Sequence, residues 1–183
     1  LHLAAERAQA VGCDCLQIFT KNNNQWQCKP LSDSDCAQFV QAIDDTQLAE
    51  PIAHSSYLIN CASPDDQLWE KSLDALIVEW QRCEQLRIVG LVMHPGAHTT
   101  STPEQGLERI ARAVQTAIER VQPQCCRLLL ENTAGQGSCL GWQIEQLGWL
   151  LAAIDSQHVG VCWDTCHALA AGYDFRTAKG LKE

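Results

Sequence analysis

Four residues of types that bind metal ions follow apolar segments along this 183-residue chain. His54, His94, Glu131 and Asp164 are separated by 40, 37 and 33 residues, and His167 lies one helical turn beyond Asp164. Imidazole and carboxylate ligands suit Zn²⁺ or another divalent first-row ion better than Mg²⁺ or Ca²⁺. If the similar spacing brings these residues to one edge of a sheet, the chain has a metal centre with nitrogen and oxygen ligands.

Several chemistries are open to such a centre. Divalent ions bridged by a carboxylate lower the pKa of a bound water to about 7, which suits hydrolysis of a phosphodiester. The same ions would stabilise the enediolate of a sugar isomerase or epimerase. A structural interpretation also stands at each single position, because a lone histidine is commonly hydrogen-bonded and an aspartate after a strand commonly caps a helix. The spacing alone therefore leaves the substrate open.

Five short apolar segments alternate with amphipathic stretches, as in a chain of strand–helix units. Their nearly continuous apolar character is typical of parallel strands covered on both faces. Apolar residues at steps of three and four predict helices between them, and Ser32 with Asp35 and Thr102 with Gln105 mark two helix starts. The predicted strands cover residues 15–19, 51–54, 89–94, 127–131 and 159–164.

Two α/β architectures fit this order of elements. A doubly wound sheet is expected to carry a glycine-rich turn after its first strand, whereas residues 20–26 read Thr-Lys-Asn-Asn-Asn-Gln-Trp. The sequence therefore favours a TIM (β/α)8-type barrel, with its chemistry at the carboxyl ends of the strands. A whole barrel takes about 250 residues, so we expect a barrel truncated to about five consecutive βα units, forming a single domain over residues 1–183. Because the one methionine is Met93, we also expect the chain to begin within a longer reading frame.

Composition restricts the class of protein. The net charge of −9 argues against binding of nucleic acid by blanket neutralisation of phosphates, unless carboxylates hold metal cations. No apolar run approaches the ~20 residues of a membrane span, so no membrane partner is expected. Eleven cysteines, an odd number without CxxC spacing, favour reduced thiols and a cytoplasmic location.

Four segments closely resemble the endonuclease IV family of zinc-dependent apurinic/apyrimidinic endonucleases. They are residues 54–60 (HSSYLIN), 92–98 (VMHPGAH), 130–137 (LENTAGQG), and 164–167 (DTCH) followed by 170–174 (AAGYD). The resemblance extends over nearly the whole chain, and the four segments occur in the order in which the family has them. It implies a TIM barrel that holds three zinc ions and cleaves DNA on the 5′ side of an abasic nucleotide, leaving a 3′-hydroxyl, in base-excision repair.

The resemblance also implies roles for individual residues. His54, His94 and Glu131 would bind the first zinc ion. Glu131, the implied catalytic residue, would bridge to a second ion that Asp164 also binds, and His167 would bind the third. The family's first strand and the last third of its barrel have no counterpart here, so one complete zinc site is expected in this chain.

Two loops match DNA-contacting loops of the family. One carries Tyr57 and Leu58, and the other, at residues 22–26, includes Asn24 and Gln25. Asn24 stands where the family usually has an arginine that enters the DNA, which predicts weaker attraction to phosphate. The implied partner is double-stranded DNA containing abasic sites, bound by a monomer.

Alternatives to the repair nuclease remain at this point. One is a divalent-metal sugar isomerase or epimerase on a similar barrel, and another is a non-catalytic fragment that binds one zinc ion. An open five-stranded sheet would expose edges and apolar faces that a closed barrel hides. The resemblance therefore predicts the activity of a parent protein and leaves that of this chain open.

Overall fold

The computed structural model describes residues 1–46 and 48–181, in which helices and strands alternate. The predicted domain of residues 1–183 includes 47, 182 and 183, which lie outside the described residues. The elements are α1 (Leu3–Ala10), β1 (Gln17–Ile18), α2 (Asp33–Asp45), β2 (Ile52–His54), α3 (Asp66–Gln85), β3 (Gly90–Met93), α4 (Pro103–Val121), β4 (Arg127–Glu131), α5 (Ile144–Ile154), β5 (Val159–Cys162) and α6 (Thr165–Ala170).

The strands of the described residues form one parallel sheet in the order β1-β2-β3-β4-β5. Each strand pairs with the next one along the chain, which is the order of a TIM barrel. A doubly wound sheet would instead reverse its order at a switch point. The prediction of a TIM-type α/β fold with about five βα units is therefore confirmed.

The core lies between the sheet and the helices that cover one face of it. Trp80 of α3, Ile110 of α4 and Leu150 of α5 are fully buried, as are Leu128 and Leu130 of β4. The faces of α3 and α4 that the apolar spacing predicts to be buried are those that contribute to this core. Burial of these faces, more than helix propensity, stabilises the helices.

Both predicted helix starts are present. The Ser32 hydroxyl accepts a hydrogen bond from the Asp35 N–H at 3.1 Å, and the Thr102 hydroxyl accepts one from the Gln105 N–H at 3.3 Å. In each case a side-chain oxygen of the third helical residue, Asp35 or Gln105, accepts a hydrogen bond from the N–H of the capping residue, which completes a capping box.

The outer strands differ from the central ones. Strand β1 has two residues rather than the five predicted, because within the described chain it pairs only with the short strand β2. On the other side, Val161 of β5 is 39 % exposed, and Trp163 just beyond the strand is also exposed. No helix among the described residues combines the length and apolar composition that a membrane span requires.

Candidate metal centre

The residues predicted to bind metal lie together at the carboxyl edge of the sheet. His54 ends β2 and Glu131 ends β4, while His94 directly follows β3. Asp164 lies two residues after β5 and caps α6, the helix that carries His167. Because parallel strands bring their carboxyl ends to the same edge, residues far apart in sequence become neighbours here.

Three of these residues form a first cluster: His54, His94 and Glu131. The Nε2 atom of His54 is 3.1 Å from Oε2 of Glu131, and the Nε2 atom of His94 is 2.9 Å from the same oxygen. Potential ligand atoms of all three residues lie within 4.8 Å of one another. His54 and Glu131 are buried and His94 is partly exposed, so the cluster opens to solvent on one side.

The hydrogen bonds of His54 test whether this cluster fits a metal ion. Its Nδ1 atom is 2.7 Å from the Ser55 carbonyl oxygen, so Nδ1–H is the donor. In neutral His54 the lone pair is then on Nε2, which faces a carboxylate oxygen. A proton or a cation must lie between two such acceptors. A carbonyl that fixes Nδ1–H and leaves Nε2 free is the usual support of a metal-binding histidine, so the residues present fit Zn²⁺.

Without a metal ion, protons take the place of the cation. Burial raises the pKa of Glu131, but hydrogen bonds and charges from His54 and His94 outweigh it and lower that pKa to about 2. Burial lowers the pKa of His54, while Glu131, the Ser55 carbonyl and the charge of Glu79 outweigh it, so that this pKa is raised above 6.5. Imidazolium and carboxylate therefore stabilise each other in the metal-free chain.

A second cluster comprises Glu131, Asp164 and His167. The imidazole of His167 lies beside both carboxylates, with its Nδ1 atom 3.8 Å from Oδ2 of Asp164 and 4.0 Å from Oε1 of Glu131. Because Nδ1–H donates to a backbone carbonyl, Nε2 is the ring atom left to bind an ion. Potential ligand atoms of the three residues again lie within 4.8 Å. Glu131 thus presents Oε2 to the first cluster and Oε1 to the second, as a bridging carboxylate must. The structure brings His167 to the Asp164 group, and its assignment to a third ion stays a prediction.

Asn132 supports the second cluster, a role that the sequence reasoning missed. Its Oδ1 atom accepts a hydrogen bond from the Asp164 N–H at 2.6 Å, and its Nδ2–H donates to the Asp164 carbonyl at 2.9 Å. Its own carbonyl accepts a hydrogen bond from Nδ1–H of His167 at 2.9 Å. A polar residue directly after a ligand at the end of a buried strand was the signal available in the sequence.

Asp164 caps a helix and still keeps one carboxylate oxygen available for a metal ion. One carboxylate oxygen, Oδ1, accepts the His167 N–H at 2.7 Å and caps α6. The other oxygen faces the imidazole of His167. The capping interpretation and the metal interpretation are therefore compatible, since each uses a different oxygen.

The turn after His94 depends on a glycine. Gly96 has φ +123°, and a Cβ atom there would lie 2.5 Å from Oδ1 of Asn60. That oxygen accepts the Ala97 N–H at 2.9 Å, and the Asn60 Nδ2–H donates to the Ala97 carbonyl at 2.9 Å. The close approach of Asn60 fixes the path of the chain that leaves His94.

Tyr57 lies over the first cluster. It is 56 % exposed, and its ring centroid is 5.9 Å from that of His94 in a nearly parallel arrangement and 5.1 Å from that of His54. Leu58, the next residue, is half-buried. An exposed aromatic ring beside a metal-type cluster can stack on a base or a sugar of a bound substrate.

The second predicted contact loop lies next to Tyr57. Asn24 and Gln25 are both exposed, and the Ser56 hydroxyl donates a hydrogen bond to the Asn23 carbonyl at 2.7 Å. The structure therefore brings the loop of residues 22–26 beside the loop of Tyr57 and Leu58.

The remaining histidines and cysteines lie outside the clusters. The Nδ1 atom of His98 is 2.7 Å from the Ser101 carbonyl in a loop, and His158 precedes β5 at the opposite edge of the sheet. All eleven cysteines fall within the described residues and are free thiols. Burial raises the pKa of the Cys61 thiol to about 12.

Comparisons with known proteins identify the family to which this fold belongs. The model of the xylose isomerase-like TIM barrel family matches residues 5–182. A curated protein of Trichlorobacter lovleyi, named probable endonuclease 4, is 44% identical over 184 residues, which cover 100% of this chain and 66% of that protein. The chain thus spans about two thirds of the length of this relative.

Solved structures show the same relationship. The structure of endonuclease IV from Thermus thermophilus superimposes with a TM-score of 0.86 at 33% identity, covering 99% of this chain and 64% of that one. A D-tagatose 3-epimerase-like protein has a TM-score of 0.77 at 19% identity, covering 97% and 66% of the two chains, a likeness of fold alone. From the family match, the relatives and the shared fold, we conclude that this chain belongs to the xylose isomerase-like TIM barrel family and, within it, groups with the endonuclease IV proteins.

Proposed function

We propose that this chain carries the principal metal-binding and DNA-contacting residues of a zinc-dependent endonuclease that hydrolyses the phosphodiester 5′ to an abasic site in DNA, leaving a 3′-hydroxyl for base-excision repair. The observation that carries the proposal is the position of Glu131, which presents one carboxylate oxygen to each of two clusters. Relatives of the chain that are named endonuclease 4, which are up to 46% identical to it, support a nuclease over other metal-dependent barrel enzymes.

The first cluster would bind one zinc ion through Nε2 of His54, Nε2 of His94 and a Glu131 oxygen. Zinc supplies Lewis acidity, which polarises a phosphodiester and makes water a stronger acid. The chain's own residues prepare this site. The Ser55 carbonyl holds the His54 ring in the tautomer that leaves Nε2 free, and Glu131 keeps its carboxylate ionised at neutral pH because its pKa is about 2.

The DNA would contact the surface around Tyr57. Its exposed ring beside His94 would stack against the nucleotide next to the gap at an abasic site, and Leu58, Asn24 and Gln25 would contribute to the same surface. Asn24 adds no positive charge to this surface. Bound metal cations would therefore supply most of the attraction for phosphate in a chain whose net charge is −9.

The cellular setting of this reaction follows from the thiols. Eleven free cysteines are compatible with a reducing compartment, and we infer a cytoplasmic enzyme that acts on double-stranded DNA as a monomer.

Nicking of a duplex with a single abasic site tests the proposal. The zinc-loaded chain is expected to cut 5′ to the lesion, to lose this activity with a chelator and to regain it on addition of zinc. Glu131→Gln should reduce both zinc affinity and nicking by at least about 100-fold, since loss of even a residue that supports a ligand costs about 10–100-fold. Glu145→Gln, an exposed carboxylate in the first turn of α5, is the matched control.

Two outcomes would overturn the proposal. Turnover of a ketose or aldose without nicking would indicate a sugar epimerase, and one bound zinc ion per chain without either activity would indicate a non-catalytic metal-binding role.

A further inference from the structure

Helix α3 carries two buried charged residues that the proposed mechanism does not use. Glu79 and Arg82 are one turn apart on the face of α3 that points toward the predicted DNA-contacting loops. The side chains of Glu79 and of its ion-pair partner Lys21 are 1 % and 3 % exposed, respectively. Burying an ion pair costs free energy of desolvation, and a well-packed apolar pair would stabilise the fold as well. The position of this ion pair therefore needs an explanation other than stability.

Arg82 closes the first of these loops, the asparagine loop, which we define as residues 20–29. One guanidinium N–H donates to the Thr20 carbonyl at 2.5 Å, and another donates to the Lys29 carbonyl at 2.9 Å. Both ends of the asparagine loop are thus bound by one planar group. Within the loop, the Lys21 ammonium donates to the Gln25 carbonyl, which fixes the exposed segment between them.

Glu79 connects the asparagine loop to the second one, the tyrosine loop, which we define as residues 55–60. One of its oxygens, Oε2, accepts the Ser56 N–H at 2.9 Å, and the other, Oε1, is 3.3 Å from the Lys21 ammonium. Each carboxylate oxygen therefore holds a different loop. The Ser56 hydroxyl completes the connection through its hydrogen bond to the Asn23 carbonyl.

We propose that Glu79, together with Lys21 and Arg82, positions the asparagine and tyrosine loops as one rigid DNA-contacting surface beside the metal clusters. The inference rests on the proposed function, because DNA is its substrate. Lys21 does not contact the phosphates of DNA in this arrangement, because its ammonium is buried against Glu79. Its charge instead sets the separation between Asn24 in one loop and Tyr57 in the other.

The test compares the wild-type chain with Glu79→Gln. Glutamine keeps an acceptor for the Ser56 N–H but loses the ion pair with Lys21. We expect faster amide hydrogen exchange in both loops and a KM for abasic-site duplex raised on the order of tenfold, as for loss of one partner of a buried charge pair. The value of kcat at saturating DNA and the zinc content should stay within about twofold of wild type, because the metal ligands keep their hydrogen-bond partners and Glu79 acts on His54 only through its charge.

Glu84→Gln is the matched control, because it is the same substitution on the same helix at a carboxylate that binds backbone N–H groups of residues 124–126 instead of either loop. If Glu79→Gln lowers the yield of folded protein, the double variant Lys21→Met/Glu79→Gln removes both charges and avoids an unpaired buried ammonium. It should fold with wild-type zinc content and still show faster exchange in the asparagine loop.

The outcomes separate this inference from the proposed function. Wild-type exchange in both loops of Glu79→Gln, an unchanged KM despite faster exchange, or a fall in kcat or zinc content with KM unchanged would each overturn the positioning role while leaving the nuclease in place. If the wild-type zinc-loaded chain neither binds nor nicks abasic-site duplex, the proposed function fails, and the DNA-contacting role of the two loops fails with it.

Discussion

Glu131 and Asn132 are adjacent in sequence but contribute to the candidate metal centre in different ways. The carboxylate of Glu131 faces both clusters, whereas Asn132 holds the backbone of Asp164 at both its N–H and its carbonyl. Residues that hold a ligand in place affect metal binding almost as strongly as ligands do. The asparagine is therefore part of the candidate site although it would offer no ligand to an ion.

At the residue scale we predict that Asn132→Ala weakens metal binding at the second cluster by about 10–100-fold. The substitution removes the two hydrogen bonds that orient Asp164 but leaves the carbonyl that accepts from His167. Calorimetric titration of the metal-free chain with zinc would measure the change. Affinity at the first cluster should be unaltered, and equal weakening at both clusters would contradict a local role.

The sequence predicted a group of candidate ligands because each of them follows an apolar strand, and the parallel sheet brings the ends of these strands together. The candidates are His54, His94, Glu131 and Asp164. It did not predict Glu79. That residue lies within a helix pattern, where a glutamate is ordinarily solvated, and its role arises from contacts with Lys21 and Ser56 that lie far away in sequence. Long-range pairing of this kind leaves no periodic signal.

At the scale of elements, the connection between α4 and β4 is held by Glu84 of α3. Its oxygens accept hydrogen bonds from the N–H groups of Gln124, Cys125 and Cys126 and from the Cys125 thiol. Burial raises the pKa of Glu84, but these donors outweigh it and lower that pKa below its usual value of 4.5. Ionised Glu84 therefore stabilises the start of β4, the strand that ends at Glu131.

The lowered pKa predicts how this contribution depends on pH. A carboxylate whose pKa is lower in the folded state stabilises it fully above pH 4.5, and the effect is lost as pH falls through the folded value. Glu84→Gln should reduce the free energy of unfolding by about 1 kcal/mol at pH 7. The difference from wild type should shrink below pH 4.5. Urea unfolding of the metal-free proteins at several pH values would measure it, and a constant difference would contradict the assignment.

Element boundaries show what local sequence can and cannot determine. The starts of α2 and α4 were predictable because Ser32 and Thr102 have their capping partners three residues away. The length of β1 was not predictable in this way, because a strand extends only as far as it pairs with a neighbour. The neighbour of β1 is β2, which has three residues. Residues 15 and 16 have strand composition but lie outside β1, although the Leu16 carbonyl accepts a hydrogen bond from the Ile52 N–H at 3.2 Å.

At the scale of the whole molecule, β5 is an edge of the described sheet. Its outer side has no strand neighbour within residues 1–46 and 48–181, and Val161 and Trp163 are exposed there. Unpaired strand edges with exposed apolar residues favour association with other chains. The expectation that the open sheet exposes apolar surface is met at this edge.

We therefore predict that the 183-residue chain, which we infer to act on DNA as a monomer, self-associates through this edge only as its concentration rises. Val161→Lys should reduce this association, because a charge on an edge strand opposes pairing. Sedimentation velocity over a range of concentrations would measure the effect. Val11→Lys, at an exposed valine outside the sheet, is the matched control. Equal behaviour of the two variants would locate the association elsewhere on the molecule.

The pairing of Lys21 with Glu79 has a thermodynamic consequence. The Lys21 ammonium is paired with Glu79 inside the protein, and Asn24 is uncharged. The surface next to the clusters therefore has little positive potential to attract DNA until metal ions bind there. Binding of metal ions then strengthens binding of DNA, and because such linkage is reciprocal, binding of DNA strengthens binding of the ions. A chain seated on a lesion would retain its zinc more tightly than one that diffuses freely.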